Sequence, residues 1–381
     1  MQGIRILVCP DSFKGSLTAR RAALAIERGV RAVLPVPRVS RLPLADGGEG
    51  TLEVLAEAGG HMRLRRVTGP VGSPVRARYI VRPDATAVVE MAQAAGLLLV
   101  PKGKRDPVRA TTFGVGELIG AAVGAGARRI VVTIGGSATV DGGAGMAAAL
   151  GARLLDAEGR PIPPGGLGLL RLARIEAEAL RRRLRGVTVL GATDVRSPLL
   201  GPRGARLYTR QKGATPREVR LLDRGLANLA RVIRRDLGID VARLPGGGAA
   251  GGLGAGLVAF LHAKLVSGAD IVFDLLRFDA ALRRADLVIT GEGSLDAQTQ
   301  HGKLVARVAA RARRFRLPVL AFAGRLSLPP RTVKSMGLAG AWGLMERGMS
   351  ERECCRRAEE LLERKAQMVL SDRVKASQAS G

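Results

Sequence analysis

The sequence predicts an α/β fold organised around a parallel β-sheet, and three features support this prediction. Short apolar runs rich in β-branched residues, such as 130–134 and 287–290, are typical of strands buried on both faces. These runs end in turns rich in glycine and carboxylate residues. Predicted helices follow several such turns, which is the alternation expected of a parallel sheet. Because ligands of such sheets bind beyond the carboxyl ends of the strands, these turns are the candidate functional segments.

Composition and charge narrow the classes of function. At 381 residues the chain can form two or three domains, and its core must be aliphatic because only 3% of the residues are aromatic. The formal net charge of +28 suggests nucleic-acid binding. However, the arginines are scattered through predicted helices, with no zinc-finger spacing and no aromatic-studded basic sheet. We therefore expect weak, non-specific polyanion affinity and no specific nucleic-acid partner.

The cysteines and the apolar runs indicate the compartment. Cys9 and the adjacent pair Cys354 and Cys355 have neither disulfide nor metal-site spacing, which fits a reducing cytoplasm. The apolar run near the N-terminus is too short for a signal peptide, and no run approaches the ~18 residues of a membrane span. We expect a cytoplasmic protein without a membrane partner.

The first predicted strand, 4–9, ends in a polar turn. Ser12 and Lys14 lie in this turn, and a helix is predicted to begin near Thr18. A strand, a polar turn and a helix in this order direct backbone N–H groups and the lysine toward an anion. We interpret Ser12 and Lys14 as candidate ligands of a phosphate or of an anionic substrate.

The second predicted strand, 39–44, ends in a turn that contains two carboxylates. Asp46 and Glu49 stand there among glycines, and a helix is predicted to begin near Thr51. Such an acidic pair can hold Mg²⁺ through one or two carboxylates. The alternative interpretation is structural, with the aspartate as a helix cap and the glycines as turn residues.

The turn after the strand 287–290 is densely charged. Glu292, Asp296 and Lys303 lie in this segment with the glycines at 291, 293 and 302. Two carboxylates and a lysine at a strand end favour a site for a charged ligand. A helix cap flanked by glycines is the alternative, and this segment alone does not decide between them.

Two glycine-rich segments lie in the middle of the chain, one after the strand 130–134 and one at 245–256. The first segment is not a Walker A sequence, because no G-K-[ST] follows. Its backbone can approach a ligand closely and offer N–H donors, while dense helix–sheet packing is the alternative. The second segment is dense in glycine and opens an apolar helix. The candidate anion-binding positions in these segments are Gly135, Gly136, Ser137, Gly251 and Gly252.

Three more candidate residues lie outside those segments. Asp194 follows the strand 187–190, at the position of a general base or a metal ligand. Lys212 precedes a helix predicted to begin at Pro216, where a lysine can meet a phosphate. Arg109 lies in a loop and is a candidate for binding a substrate carboxylate.

Seven segments occur in order along residues 3 to about 325: PDSFKGS, LADGGEGT, IGGSATVDGGAGMA, DVRSPLLGP, QKGATP, GGGAAGGLGAGL and GEGSLDAQTQHGK. Together they resemble the glycerate kinase type 1 family, and seven ordered motifs are far more specific than any one of them. The resemblance implies phosphorylation of D-glycerate, usually at its 2-hydroxyl, with ATP and Mg²⁺ as cofactors.

The resemblance also implies two α/β domains with the active site in the cleft between them. One is a Rossmann-like three-layer domain with a parallel sheet, made of residues 1–65 and 285–381. The other is a mixed α/β domain, residues 66–284, inserted into the first, and the strand pattern does change near residue 65. The partners implied are D-glycerate and ATP, and a homodimer remains open.

Phosphoryl transfer needs cations and N–H donors around the phosphates, carboxylates for the metal and a base for the attacking hydroxyl. The candidate catalytic residues are Asp194, Asp296, Lys14 and Asp46. The candidate substrate- and phosphate-binding residues are Ser12, Lys14, Arg109, Lys212, Lys303, Gly135, Gly136, Ser137, Gly251, Gly252 and Glu292, with Arg325 as a further candidate for the substrate carboxylate. The candidate metal ligands are Asp46, Glu49 and Asp194.

Three positions lose the polar side chain of the family's usual pattern, and Thr209 and Arg210 stand where Gly-Pro is usual. Val140 and Ser197 stand where Asn is usual, and Ser294 stands where Arg is usual. Loss of these polar groups favours two alternative hypotheses. One is a diverged paralogue acting on another small hydroxy acid, and the other is a catalytically degenerate protein that binds a small acid, a nucleotide or a polyanion. The retained carboxylates favour the enzyme.

Overall fold

A computed structural model describes residues 3–48, 50–296 and 304–379, with side chains to 375. The strands are β1 (Arg5–Val8), β2 (Arg38–Arg41), β3 (His61–Thr68), β4 (Pro74–Val81), β5 (Thr86–Glu90), β6 (Arg129–Thr133), β7 (Arg153–Leu155), β8 (Arg174–Glu176), β9 (Thr188–Ala192), β10 (Lys264–Val266), β11 (Leu287–Leu295), β12 (Val319–Leu326) and β13 (Gly340–Gly343). The helices are α1 (Ala19–Arg31), α2 (Thr51–Glu57), α3 (Ala92–Ala95), α4 (Phe113–Gly124), α5 (Ala144–Ala149), α6 (Glu178–Arg183), α7 (Pro216–Leu237), α8 (Ala249–Leu261), α9 (Gly268–Leu275), α10 (Phe278–Leu282), α11 (Leu304–Arg313), α12 (Pro330–Ser335), α13 (Glu351–Arg356) and α14 (Ala358–Ala379).

The chain divides into two compact units, residues 1–46 with 269–381 and residues 47–268. The boundaries expected from the sequence, near residues 65 and 285, lie further along the chain. They differ because β3 pairs with β4 along its whole length, from His61↔Val81 to Thr68↔Pro74, and so belongs to the sheet of the second unit. The change of pattern near residue 65 therefore marks an antiparallel hairpin inside a unit.

The first unit contains a five-stranded parallel sheet in the order β13-β12-β11-β1-β2, which confirms the predicted parallel α/β architecture. Helix α1 buries Ala22, Ile26 and Val30, which recur at intervals of four residues and so share one face. Thr18 caps this helix by accepting a hydrogen bond from the N–H of Arg21 at 3.2 Å. The predicted helix start near Thr18 is thereby confirmed.

Strand β11 is longer than the predicted strand 287–290. It pairs with β12 as far as Leu295↔Leu326, so the segment expected to be a turn, 291–293, is strand instead. Backbone pairing along β12 outweighs the turn preference of the two glycines. The extension has a consequence for function, because Glu292 and Ser294 then point to the same face of the sheet.

The second unit contains a mixed six-stranded sheet in the order β10-β9-β6-β5-β4-β3. Strands β5, β6, β9 and β10 are parallel, and β3 and β4 complete an antiparallel edge. The last residues of three neighbouring strands lie in register, as Glu90↔Thr133 and Thr133↔Ala192. The loops that follow β5, β6 and β9 therefore leave from the same edge of the sheet.

Helix α7 begins at Pro216, as predicted from the sequence, with a reciprocal cap. The Thr215 hydroxyl accepts a hydrogen bond from the N–H of Glu218 at 3.3 Å, and the Glu218 carboxylate accepts from the N–H of Thr215 at 2.7 Å. Across the described part of the chain, no helix combines the length and apolar character needed to cross a membrane.

Candidate active site

A cavity of about 330 Å³ lies at the carboxyl ends of the strands in the first unit. The cavity is lined by loop residues after β1, the extended end of β11, the end of β12 and residues of α13. The polar lining comprises Asp11, Ser12, Lys14, Ser16, Asp46, Glu292, Ser294, Arg325 and Glu351. Carboxylates, hydroxyls and two cations thus meet where a parallel sheet binds its ligands.

Asp11 is a carboxylate of this cavity that was not among the predicted site residues. It is buried, with 7% of its surface exposed, and its backbone N–H donates to the carbonyl of Gly291 at 2.8 Å. Burial, reinforced by the charge of Asp46, raises the pKa of Asp11 to about 7. A group with this pKa can accept a proton near neutral pH. The available signal was its position directly after the first strand.

The candidates on β11 are brought to the same cavity by the extension of this strand. Glu292 is buried and lines the cavity with Ser294, whose hydroxyl lies 3.2 Å from Asp296 Oδ2. Lys14 and Arg325 line it as exposed cations. Lys303, predicted from the same segment, and Glu49 lie outside the described residues.

In the second unit, Asp141 organises the loop after β6. Its oxygens accept hydrogen bonds from the Thr112 N–H and hydroxyl, each at 2.8 Å, and from the N–H groups of Gly143 at 3.1 Å and Gly145 at 3.2 Å. Burial raises the pKa of Asp141, and these four donors oppose that shift. The side chain therefore holds the loop to the start of α4.

Lys212 is a buried anchor of the same loop. Only 3% of its surface is exposed, and Nζ donates to Ser137 Oγ at 2.6 Å and to the carbonyl of Thr139 at 2.7 Å. Burial lowers the pKa of Lys212 to about 7, against the charge of Asp141, which raises it. This lysine, predicted as a phosphate ligand, already uses two of its three donors within the protein.

The two glycine-rich segments of the second unit contact each other. The N–H of Gly142 donates to the carbonyl of Gly251 at 3.1 Å. Gly251 has φ of +68°, and a Cβ there would lie 2.0 Å from the carbonyl oxygen of Thr139. Gly252 is buried beside it, whereas Gly135 and Gly136 are exposed just after β6. The segment 245–256 thus supports the loop, and the loop's first residues face solvent.

The remaining candidates of the second unit are exposed. Asp194 follows the end of β9, and Arg109 has 80% of its side chain exposed, 4.0 Å from Asp106. Within residues 3–48, 50–296 and 304–379 there is no group of three or more His, Cys, Asp and Glu side chains placed to hold a metal ion.

The structure places the three side chains that stand where the family usually has Asn or Arg. Val140 is 1% exposed and belongs to the apolar core of the second unit. Ser197 Oγ lies 3.4 Å from the Tyr208 hydroxyl, and Ser294 contacts Asp296. Val140 is thus a packing position, while Ser294 is the departure that lines the cavity of the first unit.

We expect Lys212→Met to lower kcat/KM about 10²-fold, because displacement of a positioning contact by about 1 Å has an effect of this size.

The variant Lys212→Met should also change how stability depends on pH. Between about 7 and the ordinary lysine pKa of 10.5, the unfolded wild type binds more protons than the folded protein. Its unfolding free energy therefore rises with pH across this window. Urea unfolding at pH 7 and 9.5 should show this rise in the wild type and a smaller one in the variant.

Lys334→Met is the matched control, because Lys334 is exposed. It should leave both the activity and the pH dependence of stability unchanged. If Lys212→Met behaved like this control, the buried ammonium would have no role in ordering the loop.

Comparison with known proteins agrees with the motifs and with the fold. The model of the Glycerate kinase family matches residues 6–373, which extends beyond the last sequence motif. The glycerate kinase of Halalkalibacterium halodurans is 46% identical over 96% of this chain and 97% of its own length. The glycerate 2-kinase of Escherichia coli is 44% identical over 90% of this chain and 91% of its own length.

The structural comparison covers both units. The crystal structure of a protein assigned as glycerate kinase 2 from Salmonella typhimurium LT2 matches with a TM-score of 0.89 and 45% sequence identity. The match covers 99% of this chain and 100% of that chain. With the family model spanning nearly the whole sequence, the chain belongs to the glycerate kinase family.

Proposed function

We propose that this protein catalyses the ATP- and Mg²⁺-dependent phosphorylation of D-glycerate to 2-phospho-D-glycerate. Membership of a kinase family makes the chain an enzyme with ATP as the implied phosphoryl donor. The reaction class is phosphoryl transfer to an alcohol. Position 2 is supported by the likeness to the Escherichia coli protein named glycerate 2-kinase.

The observation that carries this proposal is the cavity of the first unit. Lys14 and Arg325 place positive charge where an anionic substrate or a transferring phosphoryl group needs it. Asp11 lies in the same cavity with a pKa near 7, so we assign it as the base that accepts the proton of the attacking hydroxyl. We also propose Asp296 as a catalytic residue, and its carboxylate accepts a hydrogen bond from the Ser294 hydroxyl.

The donor chemistry of the cavity fits Mg²⁺. Asp46 and Glu292 supply carboxylate oxygens on its wall, and Mg²⁺ in kinases is held by one or two carboxylates together with substrate phosphates. We propose these two residues as ligands, with Glu49 and Asp194 kept as further candidates. When bound, the ion neutralises charge on the phosphate oxygens.

For ATP we propose the loop of the second unit that follows β6. The exposed backbone of Gly135 and Gly136 can offer N–H donors to phosphate, and Ser137 is fixed by Lys212. Lys212 then acts by ordering the loop, while Gly251 and Gly252 support it. Arg109 and Lys303 remain proposals for binding a carboxylate or a phosphate. We also propose that the two compact units are the two domains of the enzyme.

The proposed function is tested by a coupled ADP-release assay with ATP, Mg²⁺ and D-glycerate, repeated with excess chelator. Enolase added as the coupling enzyme consumes 2-phospho-D-glycerate directly, whereas the 3-phospho isomer needs a mutase first. Turnover that requires Mg²⁺ and couples through enolase alone would support the proposal. Turnover only with another hydroxy acid would identify a diverged paralogue. ATP binding without turnover on any acid would identify the degenerate binder.

We expect Asp194→Asn to lower kcat by at least about 10²-fold, because the amide cannot supply the charged oxygen of the metal ligand proposed at this position. Because Asp194 is exposed, Tm should change by less than about 2 °C. Steady-state kinetics and a thermal melt measure the two effects. Asp240→Asn, at another exposed carboxylate of the same unit, is the control and should leave kcat unchanged. Full activity in Asp194→Asn would remove this residue from the mechanism.

A further inference from the structure

A second cavity, of about 640 Å³, lies in the second unit at the edge of the sheet opposite the glycine-rich loop. Arg129, Thr188 and Lys264 are the first residues of β6, β9 and β10, and all three line it. The loop with Ser137 leaves from the other end of β6, and a five-residue strand is about 16 Å long. This cavity is therefore separate from the candidate phosphate loop.

The inner wall of the cavity is apolar. It is formed by Leu180 and Leu184 from α6 and its C-terminal end, by Phe260 and Leu261 at the end of α8, and by Val189 of β9. Apolar surface of this kind is stabilised by contact with an apolar ligand, at about 25 cal/mol per Å² buried. The volume of the cavity lies within the ~300–1,000 Å³ typical of small-molecule sites.

The rim of the cavity is cationic. The cations Arg129, Arg181 and Lys264 are exposed there, as is the imidazole of His262, and no Asp or Glu lines the cavity. Through their side chains these four residues make no hydrogen bond or ion pair with any described residue. Other arginines of this unit do find partners, as at Glu176, which pairs with two of them. The uncompensated charge at the rim therefore favours an anion.

A second observation at the rim is the left-handed backbone conformation of His262. It follows the last residue of α8 with φ of +51° and ψ of 32°, and its N–H donates to the carbonyl of Leu257. Glycine is the usual residue at such a left-handed helix end, because a side chain there costs about 1 kcal/mol. The chain keeps an imidazole at this position, beside Lys264 in the cavity lining.

We propose that this cavity binds a small amphipathic anion, that is, a carboxylate, sulfonate or phosphate ester attached to an aliphatic or aromatic group. The cationic rim holds the anionic head, and the apolar wall covers the rest of the ligand. D-glycerate lacks an apolar body, so this site is distinct from the substrate site and does not depend on the proposed reaction.

The test uses 8-anilinonaphthalene-1-sulfonate, an amphipathic anion, titrated into the full chain and followed by fluorescence. We expect one saturable site that ATP and D-glycerate do not displace. Charge reversal of the rim in Arg181→Glu/Lys264→Glu should weaken binding at least about tenfold, since charge-assisted contacts are lost. The control Arg63→Glu/Arg65→Glu makes the same change in net charge on exposed β3 and should alter binding less than about twofold.

Two further measurements distinguish a specific binding site from non-specific attraction of the probe and from misfolding of a variant. The neutral analogue N-phenyl-1-naphthylamine should bind the wild type and the rim variant equally. His262→Gly should raise Tm, because glycine relieves the left-handed backbone, and yet weaken sulfonate binding. Equal weakening by the control pair, displacement by ATP or D-glycerate, or unchanged binding in both rim variants would each overturn the proposal.

Discussion

Asp11→Asn should produce the largest loss of activity, about 10²- to 10⁴-fold in kcat with D-glycerate, which is the range for loss of a general base. An amide keeps the shape of the side chain but cannot accept the hydroxyl proton. Asp11 is buried in the cavity that also holds Lys14, Asp46 and Arg325. Water therefore has little access to accept the hydroxyl proton in its place. The measurement is single-turnover phosphoryl transfer at saturating ATP and D-glycerate.

The same variant should gain stability relative to the wild type as the pH rises. The pKa of Asp11 is raised to about 7 in the folded state, so the folded protein binds more protons than the unfolded chain between the ordinary value of 3.8 and 7. The unfolding free energy of the wild type therefore falls across this window, and Asn removes that fall. Asp274→Asn, at an exposed carboxylate of the same unit, should change neither property. Retained activity in Asp11→Asn would exclude this residue as the base.

Asp141→Ala should produce the largest loss of stability, about 3–5 kcal/mol in the unfolding free energy of the second unit. Removal of the carboxylate leaves the N–H and hydroxyl of Thr112 and the N–H groups of Gly143 and Gly145 without their acceptor in a buried site. Urea unfolding followed by circular dichroism measures the change.

Two companion variants test the explanation. Asp141→Asn keeps one oxygen acceptor and should lose less stability than the alanine variant. Asp240→Ala removes an exposed carboxylate and should change the unfolding free energy by less than about 0.5 kcal/mol. A loss in Asp141→Ala no larger than this control would contradict the role assigned to the four hydrogen bonds.

Much of the fold was predictable because its signals are local. The strands expected at 4–9, 130–134, 187–190 and 287–290 all form, since apolar runs bounded by turn residues suit buried parallel strands. The start of α7 follows from Pro216 and its preceding cap. Errors arose where pairing partners are distant in sequence, as at β11, whose extension depends on β12.

The candidate site was predictable in its motifs but not in its chemistry. The ordered loop segments were sufficient to indicate the family, and Lys14, Asp46 and Glu292 were expected at a ligand site and do line one cavity. Nothing local distinguishes Lys212 from Lys14, yet one is buried against Ser137 and the other is exposed. Asp11 was not predicted as a site residue for the same reason.

The sequence by itself therefore determined the class of fold and the family, because strand pattern, caps and ordered motifs are properties of neighbouring residues. Only the tertiary structure decided which polar groups lose their contact with water. Asp11, Asp141 and Lys212 are buried by segments far from them along the chain. Since loss of hydration is what shifts a pKa and makes a hydrogen bond costly to remove, the chemistry of this protein depends on that packing.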